Sequence, residues 1–269
     1  MKIISNKDHL IKYIHKEKNL GFVPTMGALH HGHISLIKNS LTKSDKTIVS
    51  IFINRPQFNR KNDYAKYPRK IQKDILILKK LKVHYLYLPK NNQIYPFGPR
   101  KNIKINSFGK KLCGKSRPRH FEAIADVVER FIKLIKPKKI YFGEKDMQQL
   151  MIITDFVEKN YSKIKIIPCK TIREKNGIAC SSRNLLLSLN EKKIASKIYK
   201  LLFNNKNKII QNIYSIKQVK NKIKNLGVKK IDYLKVLNIN KIIRPYKKNK
   251  RYKIFIAYFL GSTRLIDNI

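Results

Sequence analysis

Residues able to do chemistry gather in four short stretches of this 269-residue chain: "PTMGALHHGH" (Pro24 to His33), "NRPQF" (Asn54 to Phe58), "GEKDMQQ" (Gly143 to Gln149) and "TIREKNGIACSSRN" (Thr171 to Asn184). In the first, Gly27 and Gly32 let a backbone approach a ligand closely. A helix beginning near His33 would aim unpaired N–H groups and a partial positive charge at the same place, so an anion is the natural occupant. If that helix starts early, His30 and His33 sit one turn apart, face the same way and can donate hydrogen bonds to phosphate oxygens. A metal is a weaker reading, because HxGH lacks the spacing and the acidic partner of HExxH. Neither GxGxxG nor GxxxxGK[ST] occurs, so the dinucleotide and P-loop readings lose support.

The other three stretches each have a structural explanation that, taken singly, is the better one. "NRPQF" can be a turn with a buried Phe58. "GEKD" can cap a helix with Glu144, Lys145 and Asp146 solvated. In "SSRN", Ser181 or Ser182 can cap the following helix.

The elements around these stretches make their positions informative. "LGFVP", "KTIVSIFIN" (Lys46 to Asn54), "HYLYLP", "KKIYFG" and "KIKIIPC" read as five strands, the second with the β-branched continuity of a strand buried on both faces. Between them lie helical patterns starting at Ile34, repeating over Ile71, Ile75, Leu78 and Leu81, running from Phe121 to Ile135 before Pro137, and from Asp146 to Glu158. Such alternation predicts a parallel sheet covered on both faces by helices. The four stretches then all leave the carboxyl ends of parallel strands, where open α/β sheets bind ligands. The segment from Asn91 to His120, rich in Gly, Pro and basic residues, is too long for a plain connection and predicts short strands or a functional excursion. Beyond Asn184 the chain is strongly basic, with Glu191, Asp232 and Asp267 its acids; helical patterning near 191 to 225 precedes strand-like runs at "IDYLKVLNI" and "YKIFIAYFLG". This fits a smaller α+β domain, giving domains at 1–170 and 171–269.

An apolar content of 42% argues for a folded protein. No stretch of some 18 apolar residues occurs, and the start lacks the apolar segment of a secretory signal, so a soluble, cytoplasmic protein with no membrane partner is expected. Cys113, Cys169 and Cys180 are an odd set without CxxC spacing, which suggests neither a disulfide framework nor a zinc cage. The formal charge of +45 would by itself suggest a polyanionic partner. Its lysines are spread among Asn and Ile along the whole chain, however, and these three residue types share A- and T-rich codons. Compositional drift is the better explanation, with weak, salt-sensitive sticking to polyanions but no specific nucleic-acid partner.

Taken together, "PTMGALHHGH", "SIFINRPQF", "YPR", "SRPRHF", "GEKDMQQL", "REKNGIACSSRN" and the terminal "LGSTRLIDN" resemble the pantoate–β-alanine ligase family, in family order and over nearly the whole chain. The resemblance implies a Rossmann-like domain that binds ATP and pantoate, a smaller lid domain, magnesium with the ATP, and a homodimer. It also implies a reaction in which pantoate's carboxylate attacks the α-phosphate of ATP, giving pantoyl adenylate and pyrophosphate, after which the β-alanine amine displaces AMP. By the family pattern Met26, Gly27, Ala28, Leu29, His30, His31, Gly32 and His33 bind ATP, as do Gly143, Glu144, Lys145 and Asp146, and Ile172, Cys180, Ser181, Ser182 and Arg183. His33, His30 and Lys145 carry the catalysis at the phosphates, and Gln57 and Gln149 bind pantoate. The pattern casts His33 as a proton donor, but a carboxylate nucleophile needs no base and pyrophosphate leaves readily, so charge stabilisation accounts for His33 at least as well. The chain departs from the pattern at Arg55 (usually proline), Cys113 (commonly acidic), Arg119 (usually glycine) and Cys180 (usually small or aliphatic).

Overall fold

The computed structural model describes residues 1–242 and 252–269, in two compact units. The first comprises Met1–Glu144 and Gln148–Lys170, the second Lys145–Met147 and Thr171–Ile269.

In the first unit six strands form one sheet: β1 (Lys2–Ile4), β2 (Leu20–Thr25), β3 (Lys46–Ile51), β4 (Tyr85–Tyr87), β5 (Lys139–Gly143) and β6 (Lys165–Cys169). Their order is β1-β4-β3-β2-β5-β6, and every pairing is parallel. Helices α1 (Lys7–Ile14), α2 (His31–Lys43), α3 (Lys61–Ala65), α4 (Ile71–Lys80), α5 (Asn91–Ile94), α6 (Cys113–Ser116), α7 (His120–Ile135) and α8 (Met147–Asn160) connect and flank them. The centre of the sheet is buried on both faces, as its β-branched sequence requires: Phe22, Val23, Ile48 and Val49 are fully enclosed. Two polar side chains on these strands are paired inside, Thr47 with Ser40 at 2.9 Å and Tyr141 with Ser44 at 3.0 Å. Helix α7 buries Phe121, Ile124, Val128, Phe131, Ile132 and Ile135 along one stripe, each large side chain contributing about 1.5–3 kcal/mol. It stops at Lys136, whose left-handed backbone returns its N–H to the Ile132 carbonyl just before Pro137.

The strand order reverses at β2, which sends the chain to β3 on one side and pairs with β5 on the other. Ligands settle at such switch points. The first histidine-bearing stretch leaves β2, and Gly143 and Glu144 end or follow β5.

Several elements differ from the sequence expectations. A strand and a helix, β1 and α1, precede the first expected strand. Helix α2 begins at His31, two residues early, because His30 itself caps it. The strand expected to run to Asn54 ends at Ile51, where the chain turns away. The excursion after β4 holds no short strands; it folds as α5, α6 and a 3-10 turn at Ser107–Lys110, as its glycines and prolines favour local turns over ladders. The helix expected from Asp146 starts at Met147, after a 3-10 turn at Glu144–Asp146.

The second unit has three antiparallel strands, β7 (Lys230–Asn238), β8 (Tyr252–Leu260) and β9 (Thr263–Asn268), with helices α9 (Leu189–Asn204), α10 (Lys206–Ile210) and α11 (Ile216–Asn225). Strand β9 is additional to the two strand-like runs read from the sequence. Capping boxes at Ser188/Glu191 and Ser215/Gln218 start the two longer helices. Their apolar faces pack with the sheet into a core that includes Ile198, Leu202, Val219, Ile223, Leu234, Ile254 and Ile256. The chain is therefore an α/β protein, a parallel sheet flanked by helices, with a smaller C-terminal α+β unit. Among the described residues no helix is long and apolar enough to cross a membrane.

Candidate active site

The turn after β2 is held from three sides. Thr25 Oγ1 donates to the Ser50 carbonyl on β3 at 2.8 Å and accepts the Gly27 N–H at 3.2 Å. Gly27 lies at φ +77° and Ala28 at φ +50°, both left-handed. A side chain at Gly27 would be strained in that backbone, and its Cβ would lie 3.0 Å from both Asp74 and Ile51. The third support is Asp74 on α4, only 1% exposed, whose two carboxylate oxygens accept the N–H groups of Ala28 and Leu29, each at 2.8 Å. Burial pushes the Asp74 carboxyl up, opposed by those two N–H bonds and by Lys73. The N–H groups of Ala28 and Leu29 thus face Asp74, which restricts how these two residues can serve a nucleotide.

His30 has extended backbone and caps α2 by accepting the Gly32 N–H on its Nδ1 at 3.1 Å. With Nδ1 accepting, a neutral imidazole carries its ring proton on Nε2. The rings of His30 and His33 lie 4.0 Å apart, tilted by 31°, so the early start of α2 places both imidazoles on one side of the helix.

The stretch after β3 is joined to this turn. Arg55–Gln57 form a 3-10 turn with Pro56 near its start. Arg117 Nη2 (3.1 Å) donates to the Gln57 carbonyl, and His120 Nδ1 lies 2.8 Å from the same oxygen. The Gln57 side chain accepts from Asn54 at 3.1 Å and donates to the Met26 sulfur at 3.1 Å. Phe58 is buried among Tyr64 and Tyr67 in edge-on contacts, so the structural explanation of that residue also holds. Arg55, in place of the family's proline, closes the same turn with its side chain, donating to the Phe58 carbonyl at 3.1 Å. Arg119, in place of glycine, caps α7 at φ +62°, a left-handed conformation that explains the usual glycine and costs an L-residue roughly 1–2 kcal/mol.

The two glutamines after β5 divide their work. Gln148 is buried, donating to the carbonyls of Phe108 (2.9 Å) and Lys111 (2.8 Å) and accepting the Cys113 N–H (3.1 Å); it staples the excursion from within. Gln149, the residue expected at the substrate, is half-buried. Cys113 and Cys169 are buried, and burial pushes the Cys169 thiol up to about 11.

In the second unit Lys145 Nζ pairs with Asp146 at 3.2 Å. Asn268 at the end of β9 donates to the Lys145 carbonyl at 2.8 Å, and Lys253 holds Asn268 Oδ1 at 2.9 Å. Next to it Asp267 takes Arg173 in a bidentate pair, at 2.7 and 3.0 Å, with the Arg173 guanidinium 4.2 Å above the Tyr199 ring. Arg173 and Ala179 form the bridge of a small hairpin, and the Cys180 N–H reaches the Ile172 carbonyl at 2.9 Å. Cys180 and Ser182 are buried, Ile172, Ser181 and Arg183 half-buried. Ser181 caps the 3-10 turn Ser182–Leu186 by accepting the Arg183 N–H at 3.2 Å, as its structural explanation requires.

The structure thus brings Met26 to Gln57, His30 to His33, Lys145 to Asp146 and Ile172 to Cys180. It adds residues to which the sequence assigned no role: Asp74 beneath the first turn, Asn54 (the head of "NRPQF"), Arg117 and His120 around Gln57, and Asn268 on Lys145. "SRPRHF" and "LGSTRLIDN" were the only signals for the last three, and nothing marked Asp74. Among the described residues no group of three or more His, Cys, Asp or Glu side chains is placed to hold a metal ion.

The model of the pantoate–β-alanine ligase family matches residues 2–269. Pantothenate synthetase of Ruthia magnifica is 44% identical over 257 residues, covering 94% of this chain and 91% of that protein. The enzyme of the same name from Caldicellulosiruptor saccharolyticus is 38% identical over 273 residues, covering 100% and 97%. Among solved structures, a Francisella tularensis pantoate–β-alanine ligase complexed with β-γ ATP and β-alanine superposes with a TM-score of 0.86 at 38% identity, covering 100% of this chain and 97% of the other. Pantothenate synthetase from Thermus thermophilus gives 0.91 at 29% identity, covering 100% and 99%.

Proposed function

The chain belongs to the pantoate–β-alanine ligase family, and on that premise we propose how its residues carry out the ATP-dependent condensation of pantoate with β-alanine. The observation that carries the reading is the family match over residues 2–269 combined with polar stretches leaving the carboxyl ends of four parallel strands.

Pantoate's carboxylate attacks the α-phosphorus, pyrophosphate leaves, and the β-alanine amine then attacks the acyl carbon of the adenylate and releases AMP. The carboxylate is already a nucleophile. The protein's task is therefore to align it with phosphorus and to stabilise negative charge on phosphate oxygens. Met26 to His33 form the proposed phosphate cradle: the start of α2 offers its positive end, and His30 donates from Nε2, with His33 beside it. Because Ala28 and Leu29 direct their N–H groups to Asp74, they shape the cradle instead of donating to it. Gly143, Glu144, Lys145 and Asp146 are proposed to meet the nucleotide after β5, with Lys145 the charge on its phosphates. Ile172 and Cys180 to Arg183 are proposed to contact ATP too, with Ser181, Ser182 and Arg183 at the phosphates.

Gln57 and Gln149 are the proposed pantoate contacts, since amides can satisfy both the hydroxyls and the carboxylate. Magnesium is proposed to enter on the triphosphate; a small divalent ion that keeps much of its water needs few protein ligands. A homodimer and a cytoplasmic setting complete the reading, supported by the family resemblance.

The test is direct. Purified protein with ATP, magnesium, pantoate and β-alanine should form pantothenate, AMP and pyrophosphate in equal amounts; ADP and phosphate in their place would overturn the adenylate route.

A further inference from the structure

Tyr95 lies outside the four chemical stretches, in the excursion from Asn91 to His120, and its hydroxyl begins a chain of hydrogen bonds that ends at Gln57. Tyr95 donates to Asn54 Oδ1 at 2.7 Å. Asn54, 2% exposed, donates from Nδ2 both to the Ala123 carbonyl at 3.2 Å and to Gln57 Oε1 at 3.1 Å. Gln57 Nε2 then faces the Met26 sulfur at 3.1 Å.

The orientation of both amides follows from the partners. A main-chain carbonyl only accepts, so the Asn54 atom facing Ala123 must be nitrogen. Its oxygen is then turned to Tyr95, its second N–H to Gln57, and Gln57 must answer with oxygen. What Gln57 has left to offer is its amide N–H, held by a thioether that is only a weak acceptor and that a ligand oxygen displaces easily. Tyr95 itself is fixed. Arg130 donates to the carbonyls of Ile94 (2.7 Å) and Gly98 (3.0 Å) on either side of it, and places its guanidinium 4.5 Å above the Tyr95 ring. Burial pushes the Tyr95 hydroxyl well above its ordinary value, which keeps it a donor.

We infer that Tyr95 is a positioning residue: through Asn54 it locks the Gln57 amide so that the enzyme presents an N–H donor, and not a carbonyl, to an oxygen of pantoate. This rests on the reading of Gln57 as a pantoate contact. Without the Tyr95 hydroxyl the Asn54 oxygen is left buried and unmet, so the Ala123 carbonyl alone still opposes a turned Asn54 amide; the lock on Gln57 weakens, and Gln57 offers its carbonyl to an acceptor for part of the time.

The experiment compares Tyr95→Phe, Gln57→Ala and the double variant of the full chain, by steady-state kinetics with pantoate, ATP and β-alanine varied in turn and by thermal melts. Tyr95→Phe should raise the KM for pantoate about tenfold and leave the KM for ATP within twofold. In the Gln57→Ala background the same change should have no further effect on pantoate. Asn54→Asp, which can no longer donate to Gln57 Oε1, should reproduce the pantoate defect if Tyr95→Phe proves too unstable to assay. An unchanged pantoate KM in Tyr95→Phe, or equal losses for pantoate and ATP, would overturn the inference. So would full additivity in the double variant. If Gln57→Ala itself leaves the pantoate KM unchanged, the reading of Gln57 falls and takes the relay with it; if only Gln57→Ala raises it, the relay falls alone.

Discussion

Replacing Asp74 by alanine removes the carboxylate that receives the N–H groups of Ala28 and Leu29. Both residues are buried, at 4% and 8% exposure, so neither N–H gains full access to water when its partner goes. Each buried N–H left unmet costs about 1–3 kcal/mol. Against this stands relief from holding a carboxylate at 1% exposure, a burial that already pushes its proton affinity up. Water entering the vacated space offsets some of the loss as well. The expected net loss is about 2–4 kcal/mol, which for a chain of this size lowers Tm by roughly 5–15 °C. The functional loss should be larger than the instability explains, because the left-handed turn at Gly27 and Ala28 is what sets His30 at the start of α2. Assayed well below its melting point, Asp74→Ala should lose at least about tenfold in kcat/KM for ATP. Asp74→Asn keeps one acceptor but sets an NH2 group against a backbone N–H, and should fall between the two. Urea denaturation and kinetics with ATP varied give both numbers. A variant within about 0.5 kcal/mol of the parent with unchanged kcat/KM would refute the role of Asp74 as the support of this turn.

His33→Ala and Lys145→Ala should each keep the fold and lower kcat about 100-fold or more, the scale for losing one preorganised donor; near-normal turnover in both would remove the site from these residues. Cys113→Ser, Cys169→Ser and Cys180→Ser should each retain activity, since no covalent step is required and burial keeps the Cys169 thiol protonated at neutral pH; loss of turnover in a folded variant would contradict the non-covalent route. Glu129 supplies an acid-stability test. Burial alone would raise its carboxyl, but hydrogen bonds from Tyr161, Arg100 and Lys133 outweigh it and hold the group at about 2 against an ordinary 4.5. A lowered native value means the stabilisation is present above the ordinary value and is lost as pH falls toward about 2. It amounts to at most about 3 kcal/mol, less for the partial exposure of Arg100 and Lys133. Urea midpoints should therefore drop less steeply between pH 5 and pH 3 in Glu129→Gln than in the parent; identical slopes would show that Glu129 contributes nothing to acid lability.

The rim of the sheet was legible because its residues are costly to use elsewhere. Histidines and glycines at a strand-to-helix junction serve a packed core poorly, and the β-branched run at Lys46 to Ile51 announces a central strand. The family motifs then supplied the roles that spacing alone left open. What escaped was whatever depends on contacts far along the chain. Asp74 sits on an amphipathic helix where an acid reads as a solvated face, and nothing links it to a turn 46 positions earlier. Tyr95 in the excursion and Asn54 at the head of "NRPQF" lie 41 positions apart, and nothing in the sequence joins them until the fold hydrogen-bonds one to the other beside Gln57. Strand β1 is too short, at three residues, to show a period, although Asn6, which caps α1 by accepting from Asp8 and His9, was a readable signal. In the excursion after β4, glycines and prolines marked irregular backbone but not its form. That form is held by contacts from elsewhere, among them Gln148 on the carbonyls of Phe108 and Lys111 and Arg130 on those of Ile94 and Gly98.

At the centre stands the claim that this chain activates pantoate as an acyl adenylate before any amine arrives. Labelled pyrophosphate exchange into ATP, measured with magnesium and with β-alanine withheld, tests it most directly. Exchange should appear when pantoate is added and be absent with other carboxylic acids or with none; exchange indifferent to pantoate, or no exchange from protein that still makes pantothenate once β-alanine is supplied, would contradict it.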